Sequence, residues 1–481
     1  MGKIKVFIQK HWSLITLIVI TMIGFKLILY FQSISPIFLC HDQSRDILTA
    51  EHIIKFNDHS ITPPYCSGCE ITSILKNSNI YYYFLAIFYK IGGLNSLLLM
   101  VSVWIAASIP ITYLLTKQLS GSKYASILAS LLVAFSPLLS TKIPQISPYQ
   151  PYFTPTLSCL LIWIILCNEK HKKLFLSIFS GIVLIFGIQF HLSFLLLSPF
   201  YAYHTIKLLK DMKMVNKIIV LLFNLIILYI FIKFNTTISQ PFYYQKTINL
   251  SNIFNNFILH LSTDLKWLFP IKFNLIVFLL LIFSLFFTKR NALIKLVPIL
   301  ILYLIVSFYS NNDWYTAIYW PIFISLISTS LMAFRDRYYF FIFYLLTIIM
   351  LSSKLIYISI ISPLKNPSGL SLIYIKEISN EIDKQLSSTK ENMVFTYDSY
   401  LNAFTGYYYY QELKNNQIMI PQNQKWDEYL NILDNDAIHK IVFCVSNCLS
   451  FEEEYKLNYN IIKLNDYYTY KIYQLTKKTK L

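Results

Sequence analysis

Apolar runs long enough to cross a membrane recur along this chain from Trp12 to Ile361, and they constrain the fold more than any other feature. Hydrophobic residues make up 56% of the 481 positions and charged residues only 14%, which excludes an ordinary soluble domain. The segment 174–206 fits either two short helices or one long kinked helix. Counting it as two, we predict about eleven spans, at 12–32, 94–116, 122–141, 153–168, 174–190, 191–206, 215–234, 268–288, 293–310, 315–333 and 338–361.

Charge asymmetry between the connecting segments predicts the orientation. The segments placed inside are rich in lysine and arginine and carry the acidic Glu169, Asp211 and Asp336, whereas the first outside segment carries more acidic residues. The N-terminus is therefore expected inside and the C-terminal tail outside the cytoplasmic (inner) membrane, with the first span as an uncleaved anchor. The net charge of +17 follows from this asymmetry and is not a sign of nucleic-acid binding.

The chain divides into a transmembrane domain, 1–361, and a polar tail, 362–481. Within the first domain, 33–79 is too long for a simple connection and is expected to have structure of its own. In the tail, helix-like patterns at 370–388, 400–413 and 426–434 alternate with strand-like patterns at Met393–Tyr397, Lys440–Val445 and 459–475. The prediction is a mostly α polytopic membrane protein with a small extracytoplasmic α/β domain.

The polar run from His41 to Asp46 follows the first span directly. Ionisable residues at a membrane boundary are costly to desolvate and are usually retained for a function. Arg45 is the sole arginine predicted outside, three residues after Asp42. A base beside a fixed guanidinium suits a transfer reaction on an anionic substrate. Ser44–Phe56 reads as an amphipathic surface helix on which Asp42, Arg45, Asp46 and Thr49 share one face.

Several short motifs, taken in order, resemble one family of membrane enzymes. Over about residues 1–335 the chain is similar to glycosyltransferases of the C-type fold, in particular the dolichyl-phosphate-mannose protein mannosyltransferases and their bacterial relatives, the aminoarabinose transferases. The family's first loop reads Asp-Gln-x-Arg-Asp, followed by a Tyr-rich run that here lacks the expected proline. The matching segments are Asp42-Gln43-Ser44-Arg45-Asp46, Asn79-Ile80-Tyr81-Tyr82-Tyr83, Tyr149-Gln150-Pro151 with Pro155, Gln189-Phe190-His191, and Asn312-Asp313-Trp314-Tyr315 through Pro321.

The resemblance implies a glycosyltransferase that takes a sugar from a polyprenyl-phosphate carrier and transfers it to a lipid, glycan or protein acceptor. Asp42 would be the catalytic base, and one inverting displacement needs only one carboxylate. The residues that would contact substrate are Arg45, Asp46, Lys76, Tyr81, Tyr82 and His191. Such enzymes generally need no catalytic metal, so neither a metal nor another cofactor is expected, and the partners are the carrier, the acceptor and membrane lipid.

Other interpretations of the same residues stay open. Asp42 and Asp46 could cap the surface helix, Tyr runs often anchor a helix at the membrane interface, and His191 could be a buried structural histidine. The competing functions are a surface-polysaccharide polymerase or ligase, a transporter or flippase of a glycan or lipid, and a membrane scaffold. Outside cysteines occur in the loop (Cys40, Cys66, Cys69) and in the tail (Cys444, Cys448), so a disulfide in each is plausible.

Overall fold

The chain folds into two compact units. One comprises 1–33, 73–144 and 148–361, and the other 34–72, 145–147 and 362–481. The computed structural model describes residues 2–34, 46–47, 50, 53–54, 79–135, 153–190, 192–235, 319–330, 391–396, 438–444, 452–453, 456–457, 459–467 and 470–478. The predicted spans 268–288, 293–310 and 338–361 and the predicted tail helices lie outside these residues.

The first unit is helical throughout its described part. Its helices are α1 (Gly2–Ile34), α2 (Asn79–Ser120), α3 (Lys123–Ala134), α4 (Thr154–His171), α5 (Leu174–Phe190), α6 (Ser198–Asp211), α7 (Met214–Asn235) and α8 (Trp320–Ser330), with a 3-10 turn at Leu192–Leu197 between α5 and α6. The segment 174–206 is therefore two helices joined by a tight turn. The mostly α polytopic fold predicted from the sequence is confirmed.

Helix α2 is longer than the span predicted at 94–116. It begins at Asn79 and includes the Tyr run, with a bend at Gly92 and Gly93, where the backbone leaves helical geometry. Gly93 has a φ of 62°, a conformation that glycine adopts without the steric cost of a side chain. The two glycines thus separate two helical segments within α2, and the second segment begins where the span at 94–116 is predicted to begin.

The centre of this unit is formed by α2 with α3, α4 and α8 packed around it. Buried hydroxyl groups on these helices donate to the carbonyl one turn earlier; Thr112 Oγ1, for example, lies 2.7 Å from the Ser108 oxygen. Such bonding lets a polar side chain be buried without an unsatisfied group. Between helices, the Thr116 hydroxyl donates to Ser325 Oγ at 3.0 Å and links α2 to α8.

Large apolar side chains cover the exposed faces of α1 and α7, among them Leu14, Ile18, Leu222 and Leu225. Exposed apolar surface of this extent would be unstable in water and marks contact with lipid. Two of the described helices are long and apolar enough to cross a membrane, at His11–Leu29 and Ile80–Ser120. The chain is accordingly a multi-pass membrane protein.

The described strands of the second unit form one sheet in the order β1-β2-β4-β3, with β1 at Glu391–Thr396, β2 at Ile438–Cys444, β3 at Tyr459–Tyr467 and β4 at Tyr470–Lys477. β1 and β2 are parallel, with Val394 opposite Ile441, while β4 runs antiparallel to both neighbours. The predicted strand at 459–475 is thus wrong in detail, because it is a hairpin of two strands. The buried ring of Tyr473 lies on this sheet, and its hydroxyl donates to Glu452.

Candidate active site

A cluster of aromatic rings surrounds Tyr81 at the start of α2. We call Tyr81, Phe84, Trp104, Phe153, Phe186 and Phe190 the aromatic cluster. The Tyr81 ring meets Phe190 with 5.3 Å and Phe153 with 6.1 Å between ring centroids, both edge to face. Phe153 and Phe190 are themselves 5.2 Å apart. Each such pair contributes about 0.5–1.5 kcal/mol beyond the area it buries, so the cluster holds three distant parts of the chain together.

Each of those three parts contains or adjoins one of the motifs found in the sequence. Tyr81 belongs to the Tyr run, Phe153 follows Tyr149-Gln150-Pro151, and Phe190 is the middle residue of Gln189-Phe190-His191. Ring contacts bring all three segments to one place. Phe190 therefore lies beside the Tyr run, although 109 positions separate it from Tyr81.

Trp104 joins the segments by hydrogen bonds as well as by ring contacts. Its indole nitrogen donates to the Phe153 carbonyl at 3.2 Å, and the Thr156 hydroxyl donates to the Trp104 carbonyl at 3.3 Å. Its ring stacks on Phe190 with an interplanar angle of 11°. Because Trp104 is on α2 and Phe153 precedes α4, these bonds fix where the first turn of α4 begins.

Tyr81 and Tyr82 are both fully buried, and their rings meet edge to face at 5.4 Å. Residues that anchor a helix at the membrane interface keep their polar end in contact with water. Tyr81 and Tyr82 are packed inside the protein, so the interfacial interpretation is wrong for these two side chains. Their role as residues that contact the substrate stays a prediction.

Of the charged residues in the acidic motif, the structure describes Asp46. Asp46 is helical and completely buried, as are Ile47 and Ala50, while Ile53 is 7% exposed. A carboxylate buried to this extent must have a partner, since an isolated charge is too costly to desolvate. The helix predicted here thus buries Asp46 together with Ala50 and Ile53 on one face. Asp42, Arg45, Lys76 and His191 lie outside the described residues.

The last motif segment leads into α8. Tyr319 and Trp320 are buried, and α8 packs against α2, α3 and α4. The last residues of the motif, Trp320 and Pro321, therefore belong to a helix of the same central bundle. Its Ser325 hydroxyl donates to the Pro321 carbonyl at 2.7 Å, so the proline's turn is closed within α8.

Sequence reasoning missed the aromatic cluster beyond Tyr81, and it missed a second polar group elsewhere in the unit. The carboxylate of Glu169 lies 2.8 Å from Nδ1 of His204 and 3.3 Å from Nζ of Lys207. His204 is 2% exposed and Glu169 11%. No local spacing could reveal this group, because it depends on α4 and α6 lying side by side.

Comparison with solved structures identifies proteins of similar fold. ArnT from Cupriavidus metallidurans, an aminoarabinose transferase solved bound to undecaprenyl phosphate, matches with a TM-score of 0.59 at 10% identity, over 96% of this chain and 98% of ArnT. The Archaeoglobus fulgidus oligosaccharyltransferase, solved with zinc and sulfate, matches with a TM-score of 0.54 at 13% identity, over 89% of this chain and 67% of that one. No protein-family model and no curated protein sequence matches the chain.

The fold is therefore similar to that of ArnT and of the archaeal oligosaccharyltransferase, in agreement with the resemblance predicted from the sequence. The match covers 96% of this chain and 98% of ArnT, so it includes most of the tail, for which the sequence shows no resemblance to the family. At these identities the likeness defines the fold, and activity has to be argued from the site.

Proposed function

We propose that this protein is a glycosyltransferase that moves a sugar from a polyprenyl-phosphate carrier to a lipid, glycan or protein acceptor. The observation that carries the proposal is the meeting of the Tyr run, the Phe153 segment and the Gln189–His191 segment at the aromatic cluster. These are the segments at which the chain resembles the family. The fold that holds them is shared with ArnT, whose crystal structure contains undecaprenyl phosphate.

The reaction needs one base and one good leaving group. Asp42 would accept the proton of an acceptor hydroxyl or amine while that atom attacks the anomeric carbon of the sugar. The bond from that carbon to the phosphate oxygen breaks, and the polyprenyl phosphate leaves with the electron pair. The configuration at the anomeric carbon inverts. A single carboxylate suffices because the phosphate needs no proton to depart.

The remaining predicted residues would bind the donor. Arg45, three residues from Asp42, would pair with the phosphate through its planar guanidinium, which fits two phosphate oxygens at once. Lys76 precedes the Tyr run and would add a second cation. Tyr81, Tyr82 and His191 would form the wall against the sugar or phosphate, and the buried Asp46 would hold Arg45 in position.

The predicted orientation determines on which side of the membrane the reaction would take place. With the N-terminus inside, the acidic motif, the loop after it and the tail all lie on the outer face of the cytoplasmic membrane. A carrier sugar presented on that face would reach Asp42 from the bilayer. Envelope or exported molecules would then be the acceptors.

The decisive experiment replaces Asp42 by Asn, which keeps the size of the side chain and removes the base. In a host strain lacking the chromosomal copy, the variant should be present in membranes at normal amounts, while modified glycan or lipid falls by about 10²-fold or more in mass spectra of cell extracts. The matched control is Asp58→Asn, a carboxylate of the same loop outside the motif. It should retain normal modification.

If Asp42→Asn modifies as well as the unaltered protein, Asp42 is a helix cap and the transferase mechanism is wrong. The transporter or flippase interpretation would then replace it. Under that interpretation, cells with Asp42→Asn would contain the same amount of polyprenyl-phosphate carrier as cells with the unaltered protein. A separate variant, Arg45→Lys, keeps the charge but removes the planar fork, so activity should fall and higher donor concentrations should partly restore it.

A further inference from the structure

Two lysine-rich segments meet at one end of the helical unit. One, 169–173, ends α4 and leads into α5, and the other, 207–217, ends α6 and leads into α7. Together they hold seven lysines and two acidic residues, Glu169 and Asp211. The segments are in contact, because Lys172 Nζ lies 2.8 Å from Asp211 Oδ2. They form one surface with an excess of positive charge, which we call the basic surface.

Three lysines of the basic surface lie around the Asp211 carboxylate. Lys172 is paired with it, and Lys207 precedes it by one turn on the same face of α6. The hydrogen bond and charge of Lys172, and then the charges of Lys207 and Lys217, lower the pKa of the Asp211 carboxyl. One carboxylate thus faces three ammonium groups, which come from the α4–α5 turn, α6 and α7. Among the residues that the structure describes, Lys217 has no ion pair with a carboxylate of its own.

A lysine-rich inner side does not by itself produce this convergence. The α2–α3 turn is predicted on the same side of the membrane and has two exposed lysines, Lys117 and Lys123, with no acidic residue between them. The basic surface instead gathers lysines from two segments that only the packing of α4 and α6 brings together. The excess charge is therefore concentrated at one place in the fold.

Exposed apolar side chains adjoin the basic surface on all three helices that leave it. Phe175 on α5 is 70% exposed, Ile206 on α6 61%, and Met214 and Val215 on α7 69% and 68%. A soluble polyanion would neutralise the lysines but leave these side chains in water. A phospholipid satisfies both groups, since its phosphate pairs with lysine and its acyl chains cover apolar surface.

We propose that the basic surface binds an anionic phospholipid whose phosphate lies among Lys172, Lys207 and Lys217. Its acyl chains cover the apolar side chains that adjoin the basic surface, and its charge holds the ends of α4, α6 and α7 together. Asp211 keeps Lys172 in place and at the same time repels the phosphate, so it limits the affinity. The proposal goes beyond sugar transfer and does not depend on it.

The test measures phospholipid bound to the full-length protein in detergent by native mass spectrometry. Dioleoyl phosphatidylglycerol and dioleoyl phosphatidylcholine are added separately, because they share acyl chains and differ in net charge. Each lysine near an anionic head group contributes about fivefold in affinity. Three lysines opposed by one carboxylate should therefore give phosphatidylglycerol an advantage of about 25-fold. Glycerol 3-phosphate at the same concentration should not displace it, because it has no acyl chains.

A matched pair of double variants tests the location. Lys207→Gln with Lys217→Gln leaves Lys172 neutralised by Asp211, so the advantage should fall to about onefold. Lys117→Gln with Lys123→Gln removes the same number of charges from the α2–α3 turn and should keep the advantage. The charge-preserving change of Lys207 and Lys217 to Arg should keep it as well.

Asp211→Asn tests the proposal in the opposite direction. It removes the one negative charge at the centre of the three lysines, so the advantage of phosphatidylglycerol should rise about fivefold. A variant that merely damaged the fold would lose binding. The gain therefore separates charge from folding even if the double Gln variant is unstable.

Four results would overturn the proposal. Equal binding of the two phospholipids to the unaltered protein would remove the role of charge. Equal losses in the two double Gln variants would assign binding to the general inner surface. A loss in Asp211→Asn would show that the phosphate does not lie among these lysines, and displacement by glycerol 3-phosphate would assign the site to a soluble phosphate. None of these readouts requires sugar transfer, so the proposed function can fail while lipid binding stands.

Discussion

The indole nitrogen of Trp104 lies 3.2 Å from the carbonyl oxygen of Phe153 and donates a hydrogen bond to it. This bond joins the middle of α2 to the residue that precedes α4, within the aromatic cluster. Trp104→Phe keeps a ring in the cluster but removes the donor. We expect it to lower the free energy of unfolding by about 1 kcal/mol and to reduce the proposed sugar transfer, because Phe153 would no longer hold its place against Tyr81.

Thermal unfolding in detergent and transfer assays on the same preparation measure both effects. The control is Trp12→Phe, since Trp12 lies on α1 and its ring meets Tyr124, outside the cluster. It should leave transfer unchanged. Equal loss of transfer in both variants would show that the bond to Phe153 has no special role.

Gly187 on α5 packs directly against the buried ring of Phe194 in the 3-10 turn, and a Cβ at this position would overlap the ring. Gly187→Ala should therefore displace the turn that follows His191. Overpacking of this kind costs about 1–3 kcal/mol. We expect a lower unfolding temperature in detergent and weaker donor binding, if His191 contacts the donor as proposed.

A second substitution distinguishes steric overlap with Phe194 from other causes of the lost stability. Phe194→Leu makes room beside residue 187, so the double variant should be more stable than the sum of the two single changes predicts. If the effects simply add, overlap with Phe194 is not the source of the loss.

Much of the helical architecture was predictable because apolar length is a local property of the chain. The span predicted at 215–234 matches α7 (Met214–Asn235) within a residue, and 153–168 matches the start of α4 (Thr154–His171). The predicted start at 94 also agrees with the structure, since non-helical Gly92 and Gly93 interrupt α2 just before it. The β3–β4 hairpin is predicted as one strand because its turn interrupts the strand pattern only briefly.

The sequence predicts which segments contribute to the candidate site but not how these segments are arranged in space. Each motif was visible on its own, but nothing in the sequence places Phe153 and Phe190 against Tyr81, since these contacts depend on how α2, α4 and α5 pack. The burial of Asp46 was missed for a similar reason. An aspartate on the polar face of an amphipathic helix reads as solvated until the surface that covers it is known.

The Glu169 carboxylate accepts from His204 and Lys207 at the junction of α4 and α6, and the two partners differ in exposure. His204 is almost fully buried, whereas Lys207 is more than half exposed. Removing the carboxylate leaves the buried His204 nitrogen without its hydrogen-bond partner, at a cost of about 1–3 kcal/mol. Glu169→Ala should approach this range, while Lys207→Ala should cost less than about 1 kcal/mol.

Titration with denaturing detergent, followed by circular dichroism, measures both losses. The contrast between the two variants is the informative quantity, because each removes a contact to the same carboxylate. Comparable losses would mean that exposure does not set the strength of these bonds and that Lys207 is more important than its position indicates.

The exposed pair of Lys172 and Asp211 links the C-terminal ends of α4 and α6, with 2.8 Å between Nζ and Oδ2. The hydrogen bond from Lys172 and its positive charge lower the pKa of the Asp211 carboxyl below its usual value of 3.8. A lowered pKa means that the folded state favours the ionised carboxylate. The pair's contribution to stability is therefore complete at neutral pH and declines as the pH falls below about 4. Asp211→Asn should lower the unfolding temperature slightly at pH 7, and this difference should shrink toward pH 3. Because both side chains are solvated, added salt at pH 7 should shrink it too. A difference that stays constant with both pH and salt would show that residue 211 acts through packing at the end of α6 and not through its charge.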